Sequence, residues 1–81
     1  MAISPDNTLD ARGLNCPMPI IKAKKEMDKM SAGQILEVLA TDPGSAADFK
    51  GWTKQTGHNL EEENQLNEDG KTVYQFFIKH K

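Results

Sequence analysis

The spacing of apolar and polar positions changes along the chain, and each change marks an element. Residues 8–11 (TLDA) read as a short strand with Leu9 and Ala11 on its apolar face. Arg12-Gly13-Leu14-Asn15 then makes a turn. Over residues 17–30 the period lengthens. Ile20, Ala23, Met27 and Met30 recur at the spacing of one helical face, and Lys22, Lys25, Glu26 and Lys29 cover much of the remainder. Gly33 suits a left-handed helix end. Residues 35–41 (ILEVLAT) form a nearly continuous apolar run whose length and β-branched members fit a central strand.

Asp42-Pro43-Gly44 is a turn, and Ser45 with Asp48 resembles a capping box for a second helix over residues 46–56. That helix buries Phe49, tolerates Gly51 and stops at Gly57. Residues 59–66 are rich in Glu and Asn, so they are expected as an edge strand whose charge, Glu61-Glu62-Glu63 above all, prevents mispairing. Asn67-Glu68-Asp69-Gly70 is a hairpin turn. In residues 72–79 Tyr74, Phe76 and Ile78 lie on one side of a strand, with Val73 and Phe77 on the other. The order β-α-β-α-β-β predicts an α/β fold of the α+β two-layer kind, with a four-stranded mixed sheet and two helices on one face. Residues 1–81 are expected as one domain with a loose tail at 1–6.

Composition narrows the function. Ten Lys and Arg against twelve Asp and Glu give a formal charge of −2, without the basic excess of most nucleic-acid binders, so no direct nucleic-acid partner is expected. No apolar run has the length of a membrane span, and residues 1–9 lack the charged start and apolar centre of a signal peptide. There is one cysteine. A secreted domain of this size usually needs several disulfides, so a lone thiol points to a reducing cytoplasm. It also excludes a CxxC redox or zinc pair, and neither His58 nor His80 completes a metal motif with Cys16. Neither a metal nor a cofactor is expected.

The chemistry concentrates in Cys16-Pro17-Met18-Pro19. Prolines are tolerated in the first turn of a helix, where backbone N–H groups lack intrahelical partners. This places Cys16 at the N-cap and Pro17 at the first helical position, although Pro19 biases Met18 toward extended geometry. A helix N-terminus favours a thiolate, the nucleophilic form, and Arg12 and Lys22 are the cations nearest in sequence. A disulfide oxidoreductase normally has a resolving cysteine, and a cysteine hydrolase a placed base. Neither is legible here. An accessible thiolate without a resolver can exchange sulfur between partner thiols. The residues alone also allow a second reading, in which Cys16 is a small buried hydrophobe.

The run Leu9-Asp10-Ala11-Arg12-Gly13-Leu14-Asn15-Cys16-Pro17-Met18-Pro19 resembles the LDxRGxxCPxP signature of the TusA/SirA family of small sulfur-carrier proteins. The likeness extends through the apolar second strand, Asp42-Pro43, Asp48-Phe49, Thr56-Gly57 and the terminal strand. It implies a sulfur carrier that bears a persulfide on Cys16, with Asp10, Arg12 and Gly13 shaping the preceding loop and Pro17 and Pro19 building the helix start. It further implies a cysteine desulfurase or rhodanese as sulfur donor and a DsrE-type relay protein or other thiol acceptor, serving tRNA thiolation, sulfur oxidation or general persulfide traffic. Many members carry Glu between the two prolines. Met18 stands there in this chain and makes the site less acidic and more apolar.

Lys22 and Lys25 could dock an acidic partner beside Cys16, or form a plain solvated face. Trp52 is expected as a partly buried core aromatic, the alternative being a partner contact near the active end. A monomer is expected, since a carrier presents one thiol to successive partners. Two rival readings stand beside the carrier: a non-catalytic RNA-binding or regulatory module, and a redox sensor that forms an intermolecular disulfide through Cys16.

Overall fold

A computed structural model describes residues 4–15 and 18–81. The elements are β1 (Asn7–Ala11), α1 (Met18–Asp28), β2 (Ile35–Ala40), α2 (Ser45–Thr56), β3 (Asn59–Glu68) and β4 (Lys71–Lys79). They make one sheet in the order β1-β2-β4-β3. β1 pairs with β2 in parallel, and the other two pairings are antiparallel, so the sheet is mixed as expected.

Two helices cover one face because the apolar positions of the strands share a register. Leu9 stands opposite Val38, Ala11 opposite Ala40, Leu36 opposite Ile78 and Val38 opposite Phe76. These residues form one core with Ala23, Met27 and Met30 from the first helical region and Phe49 from α2. Phe49 and Phe76 are fully buried with ring centroids 4.8 Å apart, which joins α2 to the centre of the sheet. Trp52 packs edge-on against Phe49 at 6.0 Å and is half-buried, as a core aromatic.

The opposite face carries none of the described helices, and a polar ladder crosses all four strands there. Thr8 Oγ1 donates to Glu37 Oε1 at 3.0 Å, Gln75 Nε2 donates to Glu37 Oε2 at 2.6 Å, and Asn64 Nδ2 donates to Gln75 Oε1 at 3.1 Å. Val73 and Phe77 flank this ladder and are themselves buried. Cross-strand hydrogen bonds of this kind stabilise a sheet face that water can reach.

The element ends depart from expectation in several places. Asp6, within the expected loose tail, is tied to β2. Its N–H donates to the Ile35 carbonyl, and its Oδ2 accepts from the Ile35 N–H, both at 2.8 Å. α1 ends at Asp28 rather than residue 30. Met30 nevertheless stays buried, through a turn in which its N–H donates to the Met27 carbonyl. The Ser45–Asp48 capping box does not form. Gly44 is the N-cap of α2, with no side-chain cap, and Ser45 is the first helical residue. Asp42 closes that end instead, its Oδ1 accepting from the Gly44 N–H at 2.9 Å and its carbonyl from the Ser45 N–H at 3.0 Å. This Asx turn fixes the entry of the chain into the helix and satisfies the N–H groups of the N-cap and the first helical residue.

Gly57 ends α2 as expected. Its φ of 87° is left-handed, and its N–H donates to the Thr53 carbonyl. β3 is an edge strand with a register shift between Leu60 and Glu62, a bulge of the kind that discourages edge pairing. It runs two residues beyond the expected end, so the turn shrinks to Asp69-Gly70, both at positive φ, which suits the twist of a two-residue hairpin. None of the described helices is long and apolar enough to cross a membrane.

Candidate functional site

The parallel pairing of β1 and β2 brings the carboxyl ends of both strands to one end of the sheet. The β3–β4 hairpin turn lies at that same end because β4 is antiparallel to β2. The Cys16 loop leaves β1 there. The expected N-cap and first helical position fall on Cys16 and Pro17, which lie outside the described residues. The residues on either side are held by a set of hydrogen bonds.

Arg12 is the centre of the loop's order. Its Nε and Nη2 donate to Asp10 Oδ1 and Oδ2 at 2.8 and 2.9 Å, a two-pronged fork. Its Nη1 donates to Glu68 Oε1 at 2.7 Å, and its backbone N–H donates to Asp10 Oδ1 at 3.1 Å. The fork holds the Asp10 carboxyl at about 2, well below its ordinary 3.8, through the side-chain hydrogen bond first and the backbone one second. The same partners raise the guanidinium above its usual range. One cation thus faces two carboxylates. Arg12 is a brace whose charge these two carboxylates neutralise.

Gly13 follows with φ of 81°, a left-handed conformation that a side chain would strain. Its N–H donates to Thr41 Oγ1 at 2.9 Å, which ties the loop to the residue after β2. Leu14 packs on the core, and its N–H donates to the Ala11 carbonyl at 3.2 Å. The Asn15 carbonyl accepts from the Met18 N–H at 2.9 Å, so the chain on either side of positions 16 and 17 is drawn together.

Met18 opens α1 despite the extended bias that Pro19 places on it. Pro19 is fully buried, as an anchor for the first turn, where its missing N–H loses no helical bond. Met18 is 40% exposed and Ile21 41%, two of the three exposed large hydrophobic residues among those described. They stand one turn apart, with Lys22 and Lys25 exposed beside them. Among the described residues Lys22, Lys24, Lys25 and Lys29 make no ion pair.

A shallow cleft of about 400 Å³ lies between the loop and the hairpin, lined by Arg12, Gly13, Thr41, Glu68, Lys71 and Val73 among others. Sequence reasoning missed Glu68 and Thr41. Glu68 reads locally as part of the hairpin turn, and nothing near it signals a contact 56 residues away. Trp52 sits at the other end of the sheet with His58, whose ring centroid is 5.4 Å from its own and 4.7 Å from that of His80. This removes Trp52 from the active end. His58 Nδ1 accepts the Lys81 N–H at 3.1 Å, and burial, then His80 and Lys81, push its pKa below the ordinary value. No group of three or more candidate metal ligands occurs among the described residues.

The fold and the hydrogen-bonded residues 12–15 define a class: a thin two-layer α/β domain whose one cysteine falls, in sequence, between the first strand and the first helix. Comparison with known proteins gives the family. Residues 7–80 match the family model described as "Sulfurtransferase TusA", and this chain belongs to that family. It is 54% identical over 74 residues to the sulfur carrier protein TusA of Allochromatium vinosum, covering 91% of this chain and 92% of that one. It is 44% identical over 55 residues to the sulfur carrier protein TusA of Pseudomonas entomophila, covering 68% and 69% respectively. A crystal structure of a SirA-like protein from Desulfitobacterium hafniense superposes with a TM-score of 0.69 at 25% identity, covering 93% of this chain and 99% of that one.

Proposed function

We propose that this protein is a sulfur carrier that bears its cargo as a persulfide on Cys16. The observation that carries the reading is the family membership over residues 7–80, with the only cysteine of the chain inside the signature loop. The ordered flanks support it. A carrier needs a thiol presented from a defined loop, and Asp10, Arg12, Gly13 and Thr41 supply such a loop.

The exchange is two displacements at sulfur. The Cys16 thiolate attacks the sulfane sulfur of a donor persulfide, a new S–S bond forms, and the donor thiolate leaves. An acceptor thiolate then attacks the outer sulfur of the Cys16 persulfide, and the Cys16 thiolate departs. Sulfur keeps its oxidation level throughout, so neither step calls for an outside oxidant or cofactor. A cysteine desulfurase or rhodanese is the donor, and a DsrE-type relay protein or another thiol protein is the acceptor. The chain works as a monomer in the reducing cytoplasm.

The exposed pair Met18 and Ile21, rimmed by Lys22 and Lys25, is the docking face beside the thiol. Its partner surface has an apolar centre and an acidic rim. With methionine where many relatives carry glutamate, this face favours the acidic partner further.

Intact-protein mass spectrometry tests the reading. Reduced protein is incubated with a cysteine desulfurase and cysteine, or with a rhodanese and thiosulfate. A reductant-reversible gain of one sulfur atom, absent in Cys16→Ser, is expected. No gain from either donor would overturn it.

A further inference from the structure

We infer that Glu68, on the hairpin, is a positioning residue for the sulfur chemistry at Cys16, acting through Arg12; the inference rests on the carrier reading above. Asp10 is only two residues from Arg12, so their fork is local and travels with the loop. Glu68 is different. It sits at the last paired position of β3, opposite Lys71, and its place is set by the hairpin. The 2.7 Å bond from Arg12 Nη1 to Glu68 is the side-chain contact that ties the loop to the far edge of the sheet. Gly13, held by Thr41, ties it to the residue after β2. Together the two contacts fix the chain three residues before Cys16 from two directions.

Isolated surface ion pairs contribute little, but a two-pronged arginine fork joined to a second carboxylate is the networked geometry that does contribute. Displacement at sulfur depends on the direction of the attacking thiolate, and small misplacements lower rates. The charge count also speaks against a purely electrostatic role for Arg12. Asp10 and Glu68 together outweigh it, so it leaves no net positive charge to aid the thiolate. What remains is orientation.

The test uses the full chain as wild type, Glu68→Ala, Glu68→Gln, Arg12→Ala and the double variant Arg12→Ala/Glu68→Ala. Glutathione persulfide is the donor, and iodoacetamide gives the pH profile of the thiol. Glu68→Ala is expected to slow sulfur loading about two- to fivefold, the modest loss that a small misdirection of the attacking thiolate brings. Final loading and the alkylation midpoint stay unchanged. Glu68→Gln keeps an acceptor oxygen for Nη1 and is expected to load at close to the wild-type rate. In the Arg12→Ala background, removing Glu68 is expected to add nothing. Wild-type rates in Glu68→Ala, an undiminished effect without Arg12, or an equal midpoint shift in both Glu68 variants would each overturn the inference. Failure of the wild type to load from any donor would instead defeat the carrier reading, and it is told apart by appearing before any variant is compared.

Discussion

The ring of Phe49 on α2 lies 4.8 Å from that of Phe76 in β4, tilted by 33°, and both are fully buried. This pair joins the helical layer to the sheet at the centre of an 81-residue chain with few alternatives for core packing. Phe49→Ala is expected to destabilise by about 3–5 kcal/mol, the range for emptying an aromatic site. That rivals the whole stability of a small domain. Urea denaturation is the measurement, and a loss under about 1 kcal/mol would show that the helix docks by other contacts.

Ser45 offers the opposite case. It is 1% exposed in the first turn of α2, and its hydroxyl has no hydrogen-bond partner. An unsatisfied buried hydroxyl is costly, and alanine also favours the helix. Ser45→Ala is expected to raise stability by about 1 kcal/mol. A clear fall in the urea midpoint would mean that the hydroxyl has a role in the fold.

Stability is expected to fall with acidity in two stages. His58 has a lowered pKa in the fold, through burial first and then the charges of His80 and Lys81, with Asp28 opposing. As pH drops below its ordinary 6.5, the unfolded chain takes up a proton that the folded one resists, so stability is full above that value and declines below it. Asp10 adds a second stage. Its contribution is full above 3.8 and is lost as pH falls toward about 2. Urea midpoints measured on either side of the ordinary histidine value read the first stage, and His58→Gln is expected to flatten it. A wild-type midpoint that does not move across that value would count against the assignment.

The proposed docking face makes a kinetic prediction. Lys22→Glu with Lys25→Glu reverses two exposed charges without touching the core. Sulfur transfer from a cysteine desulfurase is expected to slow by about tenfold at low salt, with the difference shrinking as salt screens the charges. Alkylation of Cys16 by iodoacetamide, which needs no docking, is expected to stay near the wild-type rate. Equal slowing of both reactions would place the lysines in thiol activation instead.

Much of this protein is legible in the order of its residues. Period-two and period-3.6 patterns define the strands and helices, because each element hides one apolar face. Ala23, Met27 and Met30 are buried as their spacing requires, and so are Phe76 and Ile78. The signature around Cys16 marks the family, because a turn, a thiol and two prolines can be read along the chain.

The tertiary structure decided what depends on distance across the sheet. The strand order β1-β2-β4-β3 inserts the last strand beside β2, and their antiparallel pairing carries the hairpin to the end where the Cys16 loop begins. Glu68 thereby meets Arg12, which Asp10 already holds in a two-pronged fork. Thr41 likewise receives Gly13. Ser45 has the composition of a cap, yet Gly44 is the N-cap, because the chain must turn sharply between β2 and α2 and the Asx turn of Asp42 closes it one residue earlier. Local sequence encodes periodicity and turn chemistry. Which charged groups meet from opposite ends of the chain is set by strand order and register, which no local pattern contains.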